Sequence, residues 1–221
     1  MASMNTRQPP RERRRQADRS LATRQQLIQA TIEVVRDRAF HGASVFEVAK
    51  SAGVTPGAFQ HHFGSKAELM MEVVAAILQG DADSSLQWPA ASQPLSERAR
   101  AMVEGLWRSV YEPDRFLVAW QVYFGCANEP GLRERILAQR EDTTGRLVER
   151  FLDTFPELAA RPDAQAQVQL ILSSLRGLGL TRLFGSDPST PAQLDALVQL
   201  LVDRCAPAAA HPSPPSRKKA P

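Results

Sequence analysis

Apolar residues recur every three or four positions along most of residues 21–206, and strand-like alternation is absent. This spacing is typical of helices that bury one face. Proline and glycine fall between the periodic segments, where helices are expected to end. The pattern predicts helices over 23–40, 45–51 and 56–62, a fourth that begins after Ser65, and five more near 95–111, 114–127, 130–155, 163–184 and 191–205.

Four of the predicted helix starts match a capping box, in which a hydroxyl residue is followed three positions later by Glu or Gln. The two side chains of such a box satisfy backbone N–H groups that the first helical turn leaves without partners. Proline, which suits the first position of a helix, follows the hydroxyl at Thr55 and Thr190. The boxes are Thr23–Gln26, Ser44–Glu47, Ser65–Glu68 and Thr190–Gln193.

The two ends of the chain lack apolar periodicity. Residues 1–20 hold six arginines and two acidic residues, and residues 207–221 are rich in proline and hold three basic residues. Neither segment has the apolar side chains that a core requires, so we expect both to be disordered. The predicted organisation is a disordered Arg-rich arm over 1–20, a small helical domain over 21–66, a larger helical domain over 67–206 and a disordered Pro-rich basic tail over 207–221.

Charge is distributed unevenly along the chain. Residues 71–206 hold thirteen basic and eighteen acidic side chains, whereas the whole chain has a formal net charge of +3. The positive charge is therefore concentrated at the ends, which is typical of a protein that contacts a polyanion with one end only.

The same sequence argues against secretion and against a membrane protein. No run of about 18 apolar residues is present, and the Arg-rich N-terminus lacks the apolar segment of a secretory signal. Cys126 and Cys205 are far apart and have no ligand spacing around them. We therefore expect both to be core residues in a reducing cytoplasm, without a disulfide or a zinc site.

Residues 44–66 carry the pattern of a helix-turn-helix. Ala49 is small where two helices must cross, and Gly53 suits a turn with unusual backbone angles. At about 100° per residue, Phe59 lies on the core-facing side of the second helix. The opposite face can enter a major groove, where glycine permits close approach and glutamine can bond adenine. That face presents Thr55, Pro56, Gly57, Gln60 and His61.

The stretch GASVFEVAKSAGVTPGAFQHHFGSKAELM resembles the TetR family of bacterial transcriptional regulators, over about residues 23–75. The resemblance implies an all-α fold, with an N-terminal three-helix helix-turn-helix DNA-binding domain joined by a fourth helix to a larger helical ligand-binding and dimerisation domain. It implies a recognition helix over 55–63 and allows a phosphate contact from His62. The candidate DNA-binding residues are Ser44, Thr55, Pro56, Gly57, Gln60, His61, His62 and Lys66.

Gln60 departs from the family pattern, because family members usually carry tyrosine at this position. Glutamine removes the aromatic surface and offers amide hydrogen bonds instead. We therefore expect the operator sequence, rather than DNA binding itself, to differ from that of other members.

Other candidate chemistry is weak. Adjacent histidines on a helix point about 100° apart and do not easily hold one ion, so His61 and His62 predict no metal site, and no cofactor is expected. An enzyme that uses the helix-turn-helix for targeting needs a nucleophile or a carboxylate cluster. The pair Glu141–Asp142 and the pair Asp81 and Asp83 have no accompanying His or Lys constellation, so we expect no enzyme.

The larger domain offers a candidate pocket and a candidate interface. Its two last helices are more apolar than one core-facing stripe requires, which suggests a four-helix interface in a homodimer. The residues of its aromatic stripe are expected to pack into the core unless the helices leave a space between them; they are Trp107, Phe116, Trp120, Tyr123 and Phe124. The resemblance to the family favours such a space, which would be a ligand pocket. The candidate pocket residues are Met102, Leu106, Trp107, Phe116, Trp120, Phe124, Phe151 and Leu175.

Together these observations predict a homodimeric, ligand-responsive regulator in the bacterial cytoplasm, associated with the nucleoid. We expect a repressor that a small apolar or amphipathic molecule releases from a palindromic double-stranded DNA operator. The alternative is a dimeric DNA-binding regulator without a small-molecule ligand, controlled by a protein partner or by its expression level.

Overall fold

The computed structural model describes residues 10–82, 86–127 and 130–206, and the regular elements in these ranges are all helical, as predicted. No helix in these ranges is long and apolar enough to cross a membrane. The helices are α1 Pro10–Gly42, α2 Val45–Ser51, α3 Pro56–His62, α4 Lys66–Ala82, α5 Leu95–Leu106, α6 Asp114–Cys126, α7 Pro130–Thr154, α8 Pro156–Ala159, α9 Ala164–Thr181 and α10 Thr190–Cys205.

Helix α1 begins earlier than the sequence predicts. Residues 10–20 are helical, although the sequence predicts disorder there; residues 1–9 and the basic tail 207–221 lie outside the described residues. The segment after Pro10 consists largely of Arg, Glu, Gln and Ala, which are good helix formers, and Pro10 suits a first helical position. Thr23 therefore caps no helix, because it lies inside α1 and its hydroxyl donates to the Arg19 carbonyl at 3.0 Å.

The last turn of α1 is broken at Ala39. This residue has φ 57° and ψ 175°, a backbone conformation that strongly favours glycine. The break directs Phe40 toward α6, where its ring lies directly over Gly125. A Cβ added at Gly125 would lie 2.1 Å from the Phe40 ring, so only glycine allows this approach.

The helices of the larger domain follow the predicted segments with local differences. The helix predicted over 163–184 ends at Thr181, and a 3-10 turn follows over Arg182–Phe184. Helix α5 continues into a π-helical turn over Trp107–Tyr111. The predicted helix 130–155 ends at Thr154, and Pro156 begins the short helix α8 because proline cannot continue the α7 hydrogen bonds. The capping box predicted at Thr190 is absent: Thr190 is the first residue of α10, and Ser189 before it accepts from the Gln193 side-chain amide and caps no backbone N–H.

Two hydrophobic cores hold the fold together. The first is shared by α1–α4, one face of α6 and the first turns of α7, so it extends beyond the predicted boundary at residue 66. The second lies among α5, α6, the later turns of α7, and α8–α10. Helix α6 contributes Val118, Val122 and Cys126 to the first core and Phe116 to the second, from opposite faces. Helix α6 therefore connects helices α1–α4, the predicted DNA-reading end, to the rest of the chain.

Candidate nucleic-acid interface

Helices α2 and α3 form a helix-turn-helix whose local geometry follows from its sequence. Ser44 caps α2 by accepting from the Glu47 N–H at 3.2 Å, and Thr55 caps α3 by accepting from the Ala58 N–H at 3.1 Å. Gly53 in the turn has φ 66°, a left-handed conformation that glycine adopts without a steric penalty. The Val54 N–H donates to the Ala49 carbonyl at 3.0 Å, which closes the turn.

Helix α3 is anchored by its aromatic residues and by Arg24. Phe59 and Phe63 are buried at 0% and 2% exposure, and their ring centroids lie 6.0 Å apart. Arg24 of α1 lies over the Phe63 ring, donates to the His62 carbonyl at 3.2 Å and pairs with Glu72 of α4 at 2.9 Å. One side chain of α1 thus links the end of α3 to α4, which fixes the direction in which α3 presents its outer face.

The outer face of α3 is exposed as the helical period predicts. Thr55, Pro56, Gly57, Gln60 and His61 are exposed to solvent. His62, on the other side, is half-buried. This face has no acidic side chain, so it can approach a phosphate backbone without repulsion.

The Gln60 amide is occupied within the chain. Its Nε2 donates to the carbonyl of Gly64 at 3.0 Å, just beyond the end of α3. A bidentate contact to adenine uses the amide oxygen and one of the two amide N–H donors, so the bond to Gly64 restrains the orientation of the Gln60 amide but leaves its oxygen and one donor for DNA.

The start of α4 is a capped turn with a basic residue. The Glu68 N–H donates to the Ser65 hydroxyl at 3.1 Å, and the Glu68 carboxylate accepts from the Gly64 N–H at 2.8 Å. Lys66 is half-buried, donates from Nζ to the Phe40 carbonyl at 3.1 Å and lies 4.3 Å from the centroid of the Phe40 ring. Lys66 thus packs against the broken end of α1.

The candidate pocket residues of the larger domain mostly form its core. All of this set except Trp120 and Phe124 are buried in the second core, and Trp120 packs against that core. Phe124 lies apart, with 59% of its surface exposed. The space that these side chains were expected to surround is filled by the side chains themselves. Open clefts lie at the edges of the core, one bordered by Trp107 and another by Trp120 and Phe124.

Sequence reasoning missed Arg24 and Phe40. Arg24 is half-buried on the same side of α1 as Leu27 and Thr31, where a charged residue is not expected, and its partners belong to α3 and α4. Phe40 looks like an ordinary apolar residue near a helix end, and its contact with Gly125 joins residues 85 positions apart in the chain. No local pattern marks either contact.

The fold and this geometry define a helix-turn-helix DNA-binding protein whose larger part is also helical. Residues 27–73 match the family model described as bacterial regulatory proteins, tetR family. Residues 27–73 are therefore a DNA-binding segment of the TetR family type, and the relatives that match over most of the chain are transcriptional regulators.

Relatives of similar length support this assignment. The regulator CymR of Pseudomonas putida is 27% identical over 177 residues, which span 80% of this chain and 87% of CymR. The regulator BetI of Rhizobium meliloti is 24% identical over 180 residues, spanning 81% and 86% of the two chains. These relatives are transcriptional regulators and not enzymes, which agrees with the expectation from sequence.

Solved structures show the same fold. A transcriptional regulator from Rhodococcus sp. Rha1 superimposes with a TM-score of 0.66 at 22% identity, covering 81% of this chain and 94% of that protein. The multidrug binding protein EbrR, solved with imidazole, gives a TM-score of 0.62 at 21% identity, with coverage of 85% and 96%.

Proposed function

We propose that this transcriptional regulator is a homodimeric repressor that reads a palindromic operator through the outer face of α3. A small amphipathic molecule bound by the larger domain releases it. The observation that carries the DNA-reading part is the exposed, acid-free face of α3, held by Phe59, Phe63 and Arg24 against the first core.

The phosphate contacts are assigned to the residues that frame α3. Ser44 is exposed at the start of α2, and its hydroxyl can still donate while it accepts from Glu47. Lys66 has three N–H donors on one ammonium group, so its bond to Phe40 does not preclude a phosphate contact. His62 is less suited than His61, because it is half-buried.

The homodimer is assigned to the outer surfaces of α9 and α10. The exposed residues of α9 are uncharged, and one strip of them is small or apolar; it includes Ala166, Leu170, Gly177 and Thr181. Ala192 and Ala196 are exposed in the same way on α10, which packs beside α9. Two such helix pairs can form a four-helix interface that places two copies of α3 about 34 Å apart, as successive major grooves require.

Release by a ligand needs a structural connection between the two cores, and α6 supplies one. A ligand that shifts α6 relative to α1 changes the angle between the two α3 helices of a dimer. It relieves repression only if it binds the state that does not fit DNA more tightly than the state that does. In EbrR, the related fold binds small molecules.

A second candidate function is a regulator without a small-molecule ligand. The packing of the candidate pocket residues into the second core favours it, since they leave no enclosed space among themselves. In that case the larger domain serves dimerisation, and a protein partner or the expression level sets the occupancy of the operator.

Footprinting of the DNA that flanks the gene tests the DNA-reading part. We expect the purified protein to protect two half-sites of a palindrome, with centres about one helical turn apart. Absence of any protected site contradicts this proposal. Titration calorimetry of a ligand with and without operator then tests release, because equal ligand affinities in the two experiments exclude coupling.

A further inference from the structure

An open cleft of about 780 Å³ lies between α7 and α9. Arg140 of α7 and Arg176 of α9 border it from opposite sides, and Leu137 and Leu172 supply apolar surface. A smaller cleft of about 280 Å³, bordered by Trp120 and Tyr123 of α6, shares Leu137 and Arg140 with it. The two clefts are therefore adjacent, with Leu137 and Arg140 between them, and together they make up the groove across α6, α7 and α9.

The positive charges in this groove lack acidic partners. Among the described residues, neither Arg140 nor Arg176 has a carboxylate partner or a hydrogen bond, and both are only half-exposed. The Arg140 guanidinium lies 5.1 Å from the centroid of the Trp120 ring and 5.4 Å from that of Tyr123. Partly desolvated guanidinium groups without a counter-charge are unfavourable, so this arrangement favours an anion.

The hydroxyl of Tyr123 lies at the same place without a partner. Its oxygen is buried and makes no hydrogen bond within the described part of the chain. Burial raises the pKa of Tyr123, and the positive charges of Arg140 and Arg176 both oppose that shift. Arg140 lies against the Tyr123 ring and borders the same cleft as Arg176, so the three side chains belong to one region, and a neutral phenol there is a donor.

We propose that this groove binds an organic carboxylate that carries an apolar body. Its carboxylate lies between Arg140 and Arg176 and accepts a hydrogen bond from Tyr123. Its apolar part lies along Leu137, Leu172 and the Trp120 ring. Glu141, the acidic residue of the lining, is exposed to solvent and is paired with no described residue. The opposing arginines outnumber it, so the groove keeps an excess of positive charge.

The regulatory consequence of this site rests on the proposed function, whereas the binding itself does not. One flank of α9 lines the groove and another carries the charge-free dimer face, while α6 reaches the first core. A carboxylate that draws α7 and α9 toward each other thus acts on both the dimer face and the DNA-reading end.

Calorimetry with the full chain and no DNA tests the site. The probes are octanoate and phenylacetate, each compared with its neutral amide at the same ionic strength. We expect at least one carboxylate to bind, and to bind about tenfold or more tightly than its amide, because charge-assisted hydrogen bonds are about twice as strong as neutral ones. Failure of both carboxylates to bind, or equal binding of acid and amide, overturns the proposal.

Variants locate the binding in the groove. Arg140→Gln and Arg176→Gln are each expected to weaken carboxylate binding about tenfold, Arg176→Lys less, and Tyr123→Phe by a few-fold. The control is Arg146→Gln, which removes an exposed arginine of α7 that pairs with Asp142 outside the groove. Unchanged affinity in both arginine variants, or an equal loss in the control, overturns the assignment.

The two proposals fail in different ways. If a carboxylate binds as described and operator affinity is unchanged by it, the site stands and ligand-controlled release fails. If the protein protects no operator, the calorimetry still decides whether the groove takes a carboxylate.

Discussion

At the scale of single residues, Gln60 is expected to have the largest effect on which DNA sequence the protein recognises. Its amide closes a local hydrogen bond to Gly64, so the free protein holds the side chain along α3 rather than extended into solvent. If that bond is lost on DNA binding, the loss is small against two bonds to one adenine, because a single neutral hydrogen bond contributes only about 0.5–1.5 kcal/mol net. The residue that departs from the family pattern thus also has a side chain that is restrained in the free protein.

Gln60→Ala is expected to weaken binding to the correct operator by about 1–3 kcal/mol and to weaken binding to random DNA much less. Fluorescence anisotropy with both DNAs at one salt concentration measures the difference. Gln29→Ala is the matched control, because Gln29 also bonds a group four residues further on, here Glu33 of α1. Equal losses on both DNAs contradict a base-reading role for Gln60.

At the scale of elements, the packing of α1 against α6 joins the DNA-reading end to the larger domain. The break at Ala39 turns Phe40 over Gly125, and the Phe40 carbonyl and ring both contact Lys66. A residue proposed to grip phosphate is therefore tied to the helix that joins the two cores. Movement of α6 relative to α1 is expected to displace Lys66 from its place beside α3.

Gly125→Ala is expected to lower the free energy of unfolding by about 1–3 kcal/mol, since the added Cβ overlaps the Phe40 ring. Denaturant unfolding followed by circular dichroism measures it. Gly131→Ala is the control, because a Cβ there meets nothing within 4 Å and alanine favours the helix. An unchanged stability of Gly125→Ala means that Phe40 does not pack on α6 as described.

The start of α1 is a second element with a consequence for DNA binding. Residues 16–22 are exposed throughout, and Leu27 is the first buried residue of α1. The helix therefore projects beyond the first core, and Arg11, Arg13, Arg14 and Arg15 belong to its first turns. We propose that this basic segment contacts the DNA backbone beside the site read by α3.

Replacing these four arginines by glutamine is expected to flatten the salt dependence of DNA affinity, because fewer phosphates are then neutralised by the protein. The log–log slope should decrease in magnitude by about 0.9 for each phosphate that the variant no longer neutralises. Titrations between low and moderate salt measure the slope. The control replaces Arg217, Lys218 and Lys219 of the tail. If the slope is the same in the chain without the four arginines, they do not contact DNA.

How far the sequence predicted this end of the molecule depends on the residue. The bounds of α2 and α3 and the exposed face of α3 follow from capping and helical period, which are local. The predicted start of α1 is wrong, because the arginine-rich composition of residues 10–20 indicates disorder although the same residues favour helix. The hydrogen bonds from Gln60 to Gly64 and from Lys66 to Phe40 were not predictable, because these partners come within reach only once the chain has folded.

At the scale of the whole molecule, the charge-free side of α9 determines the expected assembly. Leu170 is 51% exposed in the middle of this side, and Phe184, just beyond α9, is 93% exposed. Apolar residues in such an arrangement become buried when a second copy packs against them. A dimer would also account for specific DNA recognition with one short helix per chain, because two half-sites are then read together.

Leu170→Glu is expected to convert the dimer to a monomer, because a two-fold interface would bring two unpaired carboxylates into an apolar contact. Light scattering at micromolar concentration measures the mass. Leu21→Glu is the matched control, with 56% exposure on α1 away from this face. A variant at Leu170 that remains dimeric places the interface elsewhere.

The sequence by itself determined the all-helical class, the positions of α2, α3 and most later helices, and the outer face of α3. These depend on hydrophobic period, capping residues and turn glycine, which act over a few neighbouring positions. Tertiary structure alone decided that the aromatic stripe fills its own core, that Phe40 lies on Gly125, and that Arg140, Arg176 and Tyr123 meet in one groove. Those contacts join residues far apart in the chain, and only the packing of α6, α7 and α9 sets whether such residues close a core or leave a cleft.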